Sequence, residues 1–163
     1  MNKFMQAALK EAQLAQEQGE VPVGAAVFQD GKLIAATHNL TEQTGDPTAH
    51  AELLAIKAAL AKLGTKNLMG CELFVTLEPC AMCTGAIHLC KLNRVYFGAY
   101  DAKSGACGGS VDLPVSGCFD YKTEVYGSID EPQCEAILKE FFKDIRKGGG
   151  RTIFSAVLSQ AMD

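Results

Sequence analysis

The sequence predicts an α/β fold in three layers, α/β/α, with a central mixed sheet of five strands. Its 163 residues suit a single domain with a proper hydrophobic core. Hydrophobic residues make up 48% of the chain, which is typical of folded globular proteins. Segments rich in apolar and β-branched residues alternate with segments whose apolar residues recur at helical spacing. Strands joined by helices are expected to be parallel, and an early hairpin adds an antiparallel pair.

The predicted elements follow one another along the whole first 146 residues. They are helix 3–18, strands 21–27 and 32–38, helix 49–63, strand 71–76, helix 79–89, strands 95–99 and 123–126, and helix 131–146. Gly19 is placed to end the first helix, and residues 30–31 (Asp-Gly) are a good hairpin turn. Residues 39–47 are polar and predict a loop. Residues 46–48 offer a capping residue and a first-turn proline for the next helix.

The two ends of the chain bear on location and domain organisation. The first twenty residues do not form a signal-peptide pattern, because polar residues interrupt the apolar ones. No apolar run is long enough to span a bilayer, so we expect no membrane association and a cytoplasmic location. Residues 1–147 are expected to form one domain. Residues 148–163 are expected to be a C-terminal tail of unknown role, which starts with three glycines and then becomes apolar.

Cysteine content and charge narrow the classes of function. The chain has seven cysteines, and an odd count without a secretory signal argues against a disulfide framework. Cys80 and Cys83 are interpreted as metal ligands, and the other five as small buried apolar residues. The net charge of −4 gives no general indication of nucleic-acid binding. The basic residues in 139–151 favour a solvated helix face, with a local phosphate-binding patch as the alternative.

The strongest chemical signal is a histidine followed thirty residues later by a Pro-Cys-x-x-Cys motif. His50, Cys80 and Cys83 offer one imidazole and two thiolates, a natural tripod for Zn²⁺ that leaves the fourth tetrahedral position to water. Cys80 and Cys83 are three residues apart and so share a helix face. Pro79 suits a helix start, where backbone N–H groups favour anionic sulfur. His50 falls in the first turn of the preceding helix, so two helix N-termini would converge on one ion.

Glu52, two residues after His50, is predicted to be the catalytic proton carrier. A metal held by this tripod makes water nucleophilic near neutral pH. Glu52 would take a proton from that water, pass it to a ring nitrogen and later protonate the departing ammonia. The backbone N–H of Cys80 would stabilise the developing oxyanion. This ligand set and spacing are those of the zinc deaminases of cytosine and adenine.

A Cys-x-x-Cys pair by itself is also typical of redox pairs and of structural zinc sites. A structural zinc site needs a fourth protein ligand. The remaining histidines, His38 and His88, have no ligand-like neighbours and are interpreted as structural residues. The combination with Glu52 therefore favours a catalytic metal centre.

Several stretches of the chain carry a wider family resemblance. They are Val21-Pro22-Val23-Gly24-Ala25, Asp46-Pro47-Thr48-Ala49-His50-Ala51-Glu52, Thr76-Leu77-Glu78-Pro79-Cys80, Phe97-Gly98-Ala99, Asp101-Ala102-Lys103-Ser104-Gly105-Ala106 and the final helix with Phe141-Phe142. Over about residues 3–146 the chain resembles the bacterial tRNA-specific adenosine deaminases, within the cytidine deaminase-like superfamily. The metal motif is shared across that superfamily, whereas the 101–106 segment and the final helix point to the tRNA branch.

The resemblance implies a cytidine deaminase-like fold and a deaminase domain over residues 1–147. It implies a zinc-dependent hydrolase, with one Zn²⁺ per subunit, that converts adenosine to inosine at the wobble position of a tRNA anticodon. The implied partners are the tRNA anticodon stem-loop and a second copy of the chain in a homodimer. The target base would be flipped out against the zinc, with its loop neighbours splayed into side pockets.

The resemblance also implies roles for five substrate-binding residues. Asn39 would hydrogen-bond the target nucleotide, and Asp101 and Lys103 would contact the backbone or sugars of the loop. Phe142 and Arg146 would help to bind the flanking nucleotides. Without the resemblance, the residues alone favour a turn role for Asn39, a core position for Phe142 and a solvated surface for the three charged residues.

Two other functions stay open at this point. The first is a deaminase of a free base or nucleoside, such as guanine or cytosine, with the same zinc site and the same Glu52. The second is a non-catalytic zinc module that only binds a partner. The 101–106 segment and the final helix favour the tRNA substrate, and Glu52 argues against a module without chemistry.

Overall fold

The structure, a computed structural model, describes residues 1–147. The elements in chain order are α1 (Lys3–Glu17), β1 (Gly24–Gln29), β2 (Lys32–His38), α2 (Thr41–Thr44), α3 (Ala51–Leu63), β3 (Cys71–Leu77), α4 (Ala81–Leu89), β4 (Arg94–Ala99), β5 (Glu124–Tyr126) and α5 (Glu131–Lys147). The tail predicted over 148–163 lies outside the described residues. Within those residues, no helix has the length and apolar character needed to cross a membrane.

The five strands form one mixed sheet in the order β2-β1-β3-β4-β5. β1 is antiparallel to both β2 and β3, whereas the β3-β4 and β4-β5 pairs are parallel. Helices α3 and α4 cover one face of the sheet, and α1 and α5 cover the other. The predicted three-layer α/β/α fold with a mixed five-stranded sheet is therefore confirmed.

The core divides between the two faces because successive side chains of a strand point to opposite sides. Val27 of β1 packs in the cluster beneath α3 and α4. The next residue, Phe28, packs with Phe74 against α1, and the two ring centroids are 5.7 Å apart. Helix α1 lies so close to β1 that a Cβ at Gly24 would overlap the backbone oxygen of Ala8. Only glycine fits this position.

The start of the first strand differs from the prediction. The extended ladder begins at Gly24, three residues later than the predicted 21–27 strand. The N–H of Val23 donates to the carbonyl of Val21 at 2.8 Å, so these residues form a tight turn. Pro22, between them, has no N–H to give to a ladder.

The predicted cap of the second long helix is also wrong. Helix α3 begins at Ala51, and the Asp46 carboxylate accepts the N–H of Thr48 at 2.8 Å and its hydroxyl at 2.7 Å. Asp46 therefore closes a turn before the helix rather than capping it. Likewise, α4 begins at Ala81 rather than at residue 79.

A short helix, α2, occupies the middle of the predicted 39–47 loop. Its backbone is held by Glu20, a fully buried residue in the connection between α1 and β1. The Glu20 carboxylate accepts the N–H of Glu42 at 3.0 Å and the N–H of Gln43 at 2.7 Å. The helix therefore depends on a carboxylate more than twenty residues away, which local periodicity does not reveal.

The non-ligand cysteines are less uniformly buried than predicted. Cys71 and Cys134 are buried, Cys90 and Cys107 are half-buried, and Cys118 is exposed. Cys118 follows the Gly-rich segment, where surface turns form instead of a packed element, and its N–H donates to a side chain of that turn. The prediction of burial is wrong for Cys118 for this reason.

The two histidines outside the metal motif make the structural contacts that were expected. His38 Nδ1 lies 2.6 Å from a carboxylate oxygen of Glu11 on α1. His88 Nδ1 lies 2.8 Å from the carbonyl oxygen of Thr84, and its ring stacks on Phe119 at 4.1 Å. Neither histidine belongs to the group of potential metal-ligand atoms found among the described residues.

Candidate metal centre and substrate pocket

His50, Cys80 and Cys83 meet at the N-termini of two neighbouring helices. His50 is the N-cap residue of α3 and Cys80 is the N-cap residue of α4, so each lies just before the predicted first turn. Cys83 is buried in the first turn of α4. Nδ1 of His50 lies 3.6 Å from the Sγ atoms of both cysteines. The three potential ligand atoms all lie within 4.8 Å of one another.

The spacing of these atoms fits a tetrahedral zinc ion. Bonds of about 2.3 Å to sulfur and about 2.0 Å to nitrogen, at a tetrahedral angle, put the nitrogen and sulfur ligands roughly 3.5 Å apart. The 3.6 Å separations between His50 and each cysteine match this value. Three protein ligands leave one tetrahedral position for water, as in catalytic zinc sites.

The charges within the cluster also favour a cation. The hydrogen bond from the Cys83 thiol, with a further contribution from His50, lowers the pKa of the Cys80 thiol to about 4 in spite of burial. The pKa of Cys83 is raised because its thiol donates to Cys80 and is buried. The hydrogen bond with Cys80 raises the pKa of His50. The cluster thus holds anionic sulfur together with protons that a metal ion displaces on binding.

Glu52 lies in the first turn of α3, and only 4% of its surface is exposed. Burial raises the pKa of its carboxyl group to about 7, although its own backbone N–H and the charge of His50 favour the carboxylate. The side chains of His50, Cys80 and Cys83 all influence the pKa of Glu52, so Glu52 lies beside the ligand cluster. A carboxyl group that titrates near neutral pH can both accept and donate a proton, as a general base and acid must.

A cavity of about 550 Å³ adjoins the cluster and is lined by His50, Glu52 and Cys80. Four of the five predicted substrate-binding residues also line it, namely Asn39, Asp101, Lys103 and Phe142. Arg146 is exposed on α5, one turn beyond Phe142, and is not part of the lining. The structure therefore brings the predicted catalytic residues and most of the predicted substrate contacts into one pocket.

Two of these residues also shape the pocket through backbone hydrogen bonds. Asn39 Oδ1 accepts the N–H of Ala51 at 2.8 Å and so caps α3 next to the histidine ligand. Asp101 Oδ1 accepts the N–H groups of Lys103 at 3.1 Å and of Ser104 at 3.0 Å, which closes a turn in the pocket wall. The sequence predicts neither contact.

Sequence reasoning gives no role to two buried glutamates that hold the walls of the pocket. Glu20 binds the backbone of α2, and residues 41–42 of that helix line the cavity. Glu78 itself lines the cavity and binds the backbone of residues 101–109, the first four of which also line it. The one available signal for Glu78 is its position immediately before the Pro-Cys-x-x-Cys motif, two residues from a ligand.

Comparison with known proteins agrees with this geometry. Residues 1–99 match the family model described as the cytidine and deoxycytidylate deaminase zinc-binding region. The chain is 44% identical over 144 residues to the tRNA-specific adenosine deaminase of Bacillus subtilis strain 168, which covers 88% of this chain and 89% of that relative. This chain belongs to the tRNA-specific adenosine deaminase family. The family member of Aquifex aeolicus is also 44% identical, over 88% of this chain and 94% of its own length.

Solved structures connect the fold to two kinds of deaminase. One, from a study of A-to-I editing by tRNA:A34 deaminases at the wobble position of transfer RNA, has a TM-score of 0.80 and 41% identity. The match covers 83% of this chain and 98% of the chain in that structure. The guanine deaminase of Nitrosomonas europaea has a TM-score of 0.72 and 28% identity, over 85% of this chain and 82% of its own. Both similarity measures are higher for the tRNA deaminase.

Proposed function

We propose that this chain is a zinc-dependent hydrolase that deaminates adenosine to inosine at the wobble position of a tRNA anticodon. The observation that carries the proposal is the cluster of His50, Cys80 and Cys83 with the buried carboxyl group of Glu52 beside it, at a cavity of about 550 Å³. The family relatives named tRNA-specific adenosine deaminases support the choice of substrate.

Zn²⁺ held by His50, Cys80 and Cys83 would lower the pKa of a bound water enough for attack near neutral pH. Glu52 takes one proton from the attacking water on its carboxylate and delivers it to N1 of the adenine. Glu52 then transfers the second proton to the amino group on C6, so that the C6–N bond breaks and ammonia leaves. The N–H of Cys80, the N-cap residue of α4, stabilises negative charge on the oxygen bonded to C6.

The pocket lining supports a contact for each predicted substrate residue. Because Asn39 uses its Oδ1 atom to cap α3, its amide NH₂ group is the part that donates to the target nucleotide. Lys103 supplies a cation for the loop backbone, and Asp101 keeps one carboxylate oxygen for a sugar hydroxyl. The half-buried ring of Phe142 offers a stacking surface for a flanking base, with Arg146 one turn further along α5.

The proposal includes one Zn²⁺ per subunit, a homodimer, a cytoplasmic location and a deaminase domain over residues 1–147. A single ligand cluster among the described residues supports the zinc count. The dimer and the location rest on the family resemblance. Elemental analysis of zinc per chain and sedimentation of the purified protein test the first two directly.

A free purine or pyrimidine base is the second candidate substrate. The observation that favours it is the 28% identity and TM-score of 0.72 to a guanine deaminase. Guanine is deaminated at C2 rather than at C6, so the two substrates require different orientations of the purine relative to Glu52.

The test incubates the purified, zinc-loaded chain with an anticodon stem-loop RNA that carries adenosine at the wobble position. A matched stem-loop with adenosine only elsewhere in the loop, free guanine and free cytosine are run in parallel. We expect inosine at the wobble position and no ammonia from the free bases. Ammonia from guanine or cytosine without inosine in RNA would reverse the ranking, and zinc binding without any deamination would leave only a binding module.

A further inference from the structure

We propose that Glu78 is a positioning residue whose buried carboxylate holds the loop of residues 101–109 against the start of α4, and so fixes one wall of the substrate pocket. This inference rests on the proposed function, because the pocket is taken as the site of the target nucleotide. Glu78 comes directly after β3 and two residues before the ligand Cys80. Its role is exerted through the loop backbone rather than on the reacting atoms.

Both carboxylate oxygens of Glu78 are used by the backbone of this loop. Oε1 accepts the N–H of Asp101 at 2.9 Å. Oε2 accepts the N–H of Cys107 at 2.9 Å and that of Gly109 at 2.7 Å. Only 3% of Glu78 is exposed, so water does not compete strongly for these bonds. One anionic group thus ties together both ends of the 101–109 loop through charge-assisted hydrogen bonds.

The loop is shaped to admit this carboxylate. A Cβ added at Gly105 or at Gly109 would overlap the carboxyl group of Glu78. Two positions of the loop therefore lack side chains where the carboxylate lies. Such close packing indicates that Glu78 is part of the loop's own hydrogen-bonded structure.

The same loop is attached to the beginning of the metal-binding helix. The N–H of Ala106 donates to the carbonyl oxygen of Pro79 at 2.9 Å, and Gly105 forms a β-bridge with Cys80. Further along α4, the hydroxyl oxygen of Thr84 lies 3.5 Å from Sγ of Cys107. The carboxylate therefore lies between the pocket wall and a ligand-bearing helix start.

Glu78 affects the pocket through the turn of residues 101–104, which forms part of the pocket wall. Glu78 fixes the N–H of Asp101, and Asp101 in turn accepts the N–H of Lys103 to close the turn. Residues 101–104 line the cavity. The position of the Lys103 side chain at the cavity therefore depends on the Glu78 carboxylate, and its loss is expected to weaken substrate binding more than the chemical step.

The first test compares Glu78→Gln with the matched control Glu135→Gln in the full, zinc-loaded chain. The amide preserves the shape of Glu78 but removes its charge and turns an NH₂ donor towards backbone N–H groups. Glu135 is a half-buried residue on α5 whose carboxylate pairs with Lys139 at 3.7 Å. For Glu78→Gln we expect the KM for the anticodon stem-loop to rise on the order of tenfold at unchanged zinc content, with the control within about twofold of wild type.

The second test measures backbone amide exchange by mass spectrometry over residues 101–109, without any RNA. We expect exchange in this loop to be on the order of tenfold faster in Glu78→Gln and unchanged in Glu135→Gln. This measurement separates the proposed role of Glu78 from the proposed function of the chain. A wild-type chain that fails to deaminate the stem-loop contradicts the proposed function, whereas the exchange rates still decide whether Glu78 holds the loop.

Gly105→Ala perturbs the same contact from the loop side and keeps the carboxylate, so it serves if Glu78→Gln does not fold. The three atoms nearest to the added methyl group all belong to the Glu78 carboxyl group. The added methyl group overlaps the Glu78 carboxyl group, and we expect the same rise in KM and faster exchange. Unchanged KM and unchanged exchange in a folded variant of either kind would overturn the proposal. A fall in kcat alone, in proportion to the folded, zinc-loaded fraction, would also overturn the proposal. A residue with a purely structural role gives that pattern.

Discussion

The metal centre and the pocket walls are positioned by different kinds of contact. The ligands His50 and Cys80 are helix N-cap residues and Cys83 lies in the first turn of α4, so each is placed by the start of a helix. The walls are held by Glu20 and Glu78, which bind backbone N–H groups more than twenty residues away in sequence. The reactive chemistry is thus encoded in short motifs, whereas the shape that selects a substrate depends on isolated buried carboxylates.

The two walls also differ from each other. Glu78 accepts three backbone N–H groups from a loop without regular structure. Glu20 accepts two, from a helical turn that has its own bond from the N–H of Thr44 to the carbonyl of Leu40 at 3.0 Å. The wall formed by residues 101–109 should therefore be the more sensitive of the two to loss of its carboxylate.

Removal of a metal ligand should have the largest effect, because it leaves two ligands for a cation that needs at least three. We expect Cys83→Ala to lose zinc and to reduce deamination to background. Elemental analysis and inosine formation in the stem-loop measure the two effects together. The control is Cys118→Ala, which changes an exposed cysteine away from the cluster. Full retention of zinc in Cys83→Ala would contradict the ligand assignment.

Replacement of the proton carrier should separate chemistry from metal binding. We expect Glu52→Gln to keep its zinc and to lower kcat by about 10²- to 10⁴-fold, the usual contribution of general acid–base catalysis. The KM for RNA should change much less, because the substrate contacts remain. Single-turnover kinetics with wild-type zinc content provide the measurement. An unchanged rate would remove Glu52 from its assigned role.

Loss of the other wall carboxylate tests the difference between the walls. We expect Glu20→Gln to lower the free energy of unfolding by about 1–3 kcal/mol, because buried N–H groups lose an acceptor. The KM for the stem-loop should rise by less than in Glu78→Gln, since α2 keeps its internal hydrogen bond. Urea unfolding and steady-state kinetics measure the two quantities. A rise in KM equal to or larger than that of Glu78→Gln would contradict the expectation that the 101–109 wall depends more on its carboxylate.

The smallest effect is expected for Arg146, which lies outside the cavity lining. Arg146→Ala should weaken RNA affinity by roughly a few fold, reduce its salt dependence and leave turnover at saturating RNA unchanged. The matched control is Lys62→Ala, at the far end of α3 from the metal cluster. Filter binding at several salt concentrations provides the measurement. Unchanged affinity for the stem-loop would exclude Arg146 from the RNA contacts.

The periodic elements of the fold could be predicted because each carries its own signal. The apolar, β-branched composition of the first strand and the helical pattern over residues 131–146 are local properties. Both elements were confirmed, although the strand begins at Gly24. Helix α2 was not predicted, because its formation depends on Glu20 in an earlier connection. In the same way, the motif around Cys80 revealed the ligand cluster, whereas the role of Glu78 appears only when residues 101–109 fold over it.

The close fit between Glu78 and the two loop glycines has a practical consequence for redesign. A foreign segment grafted in place of residues 101–109 would bring side chains into space that the carboxylate already fills, unless glycine stands at 105 and 109. Exchange of specificity between deaminases on this scaffold should therefore succeed only when the segment and the glutamate before Pro79 move together as one cassette.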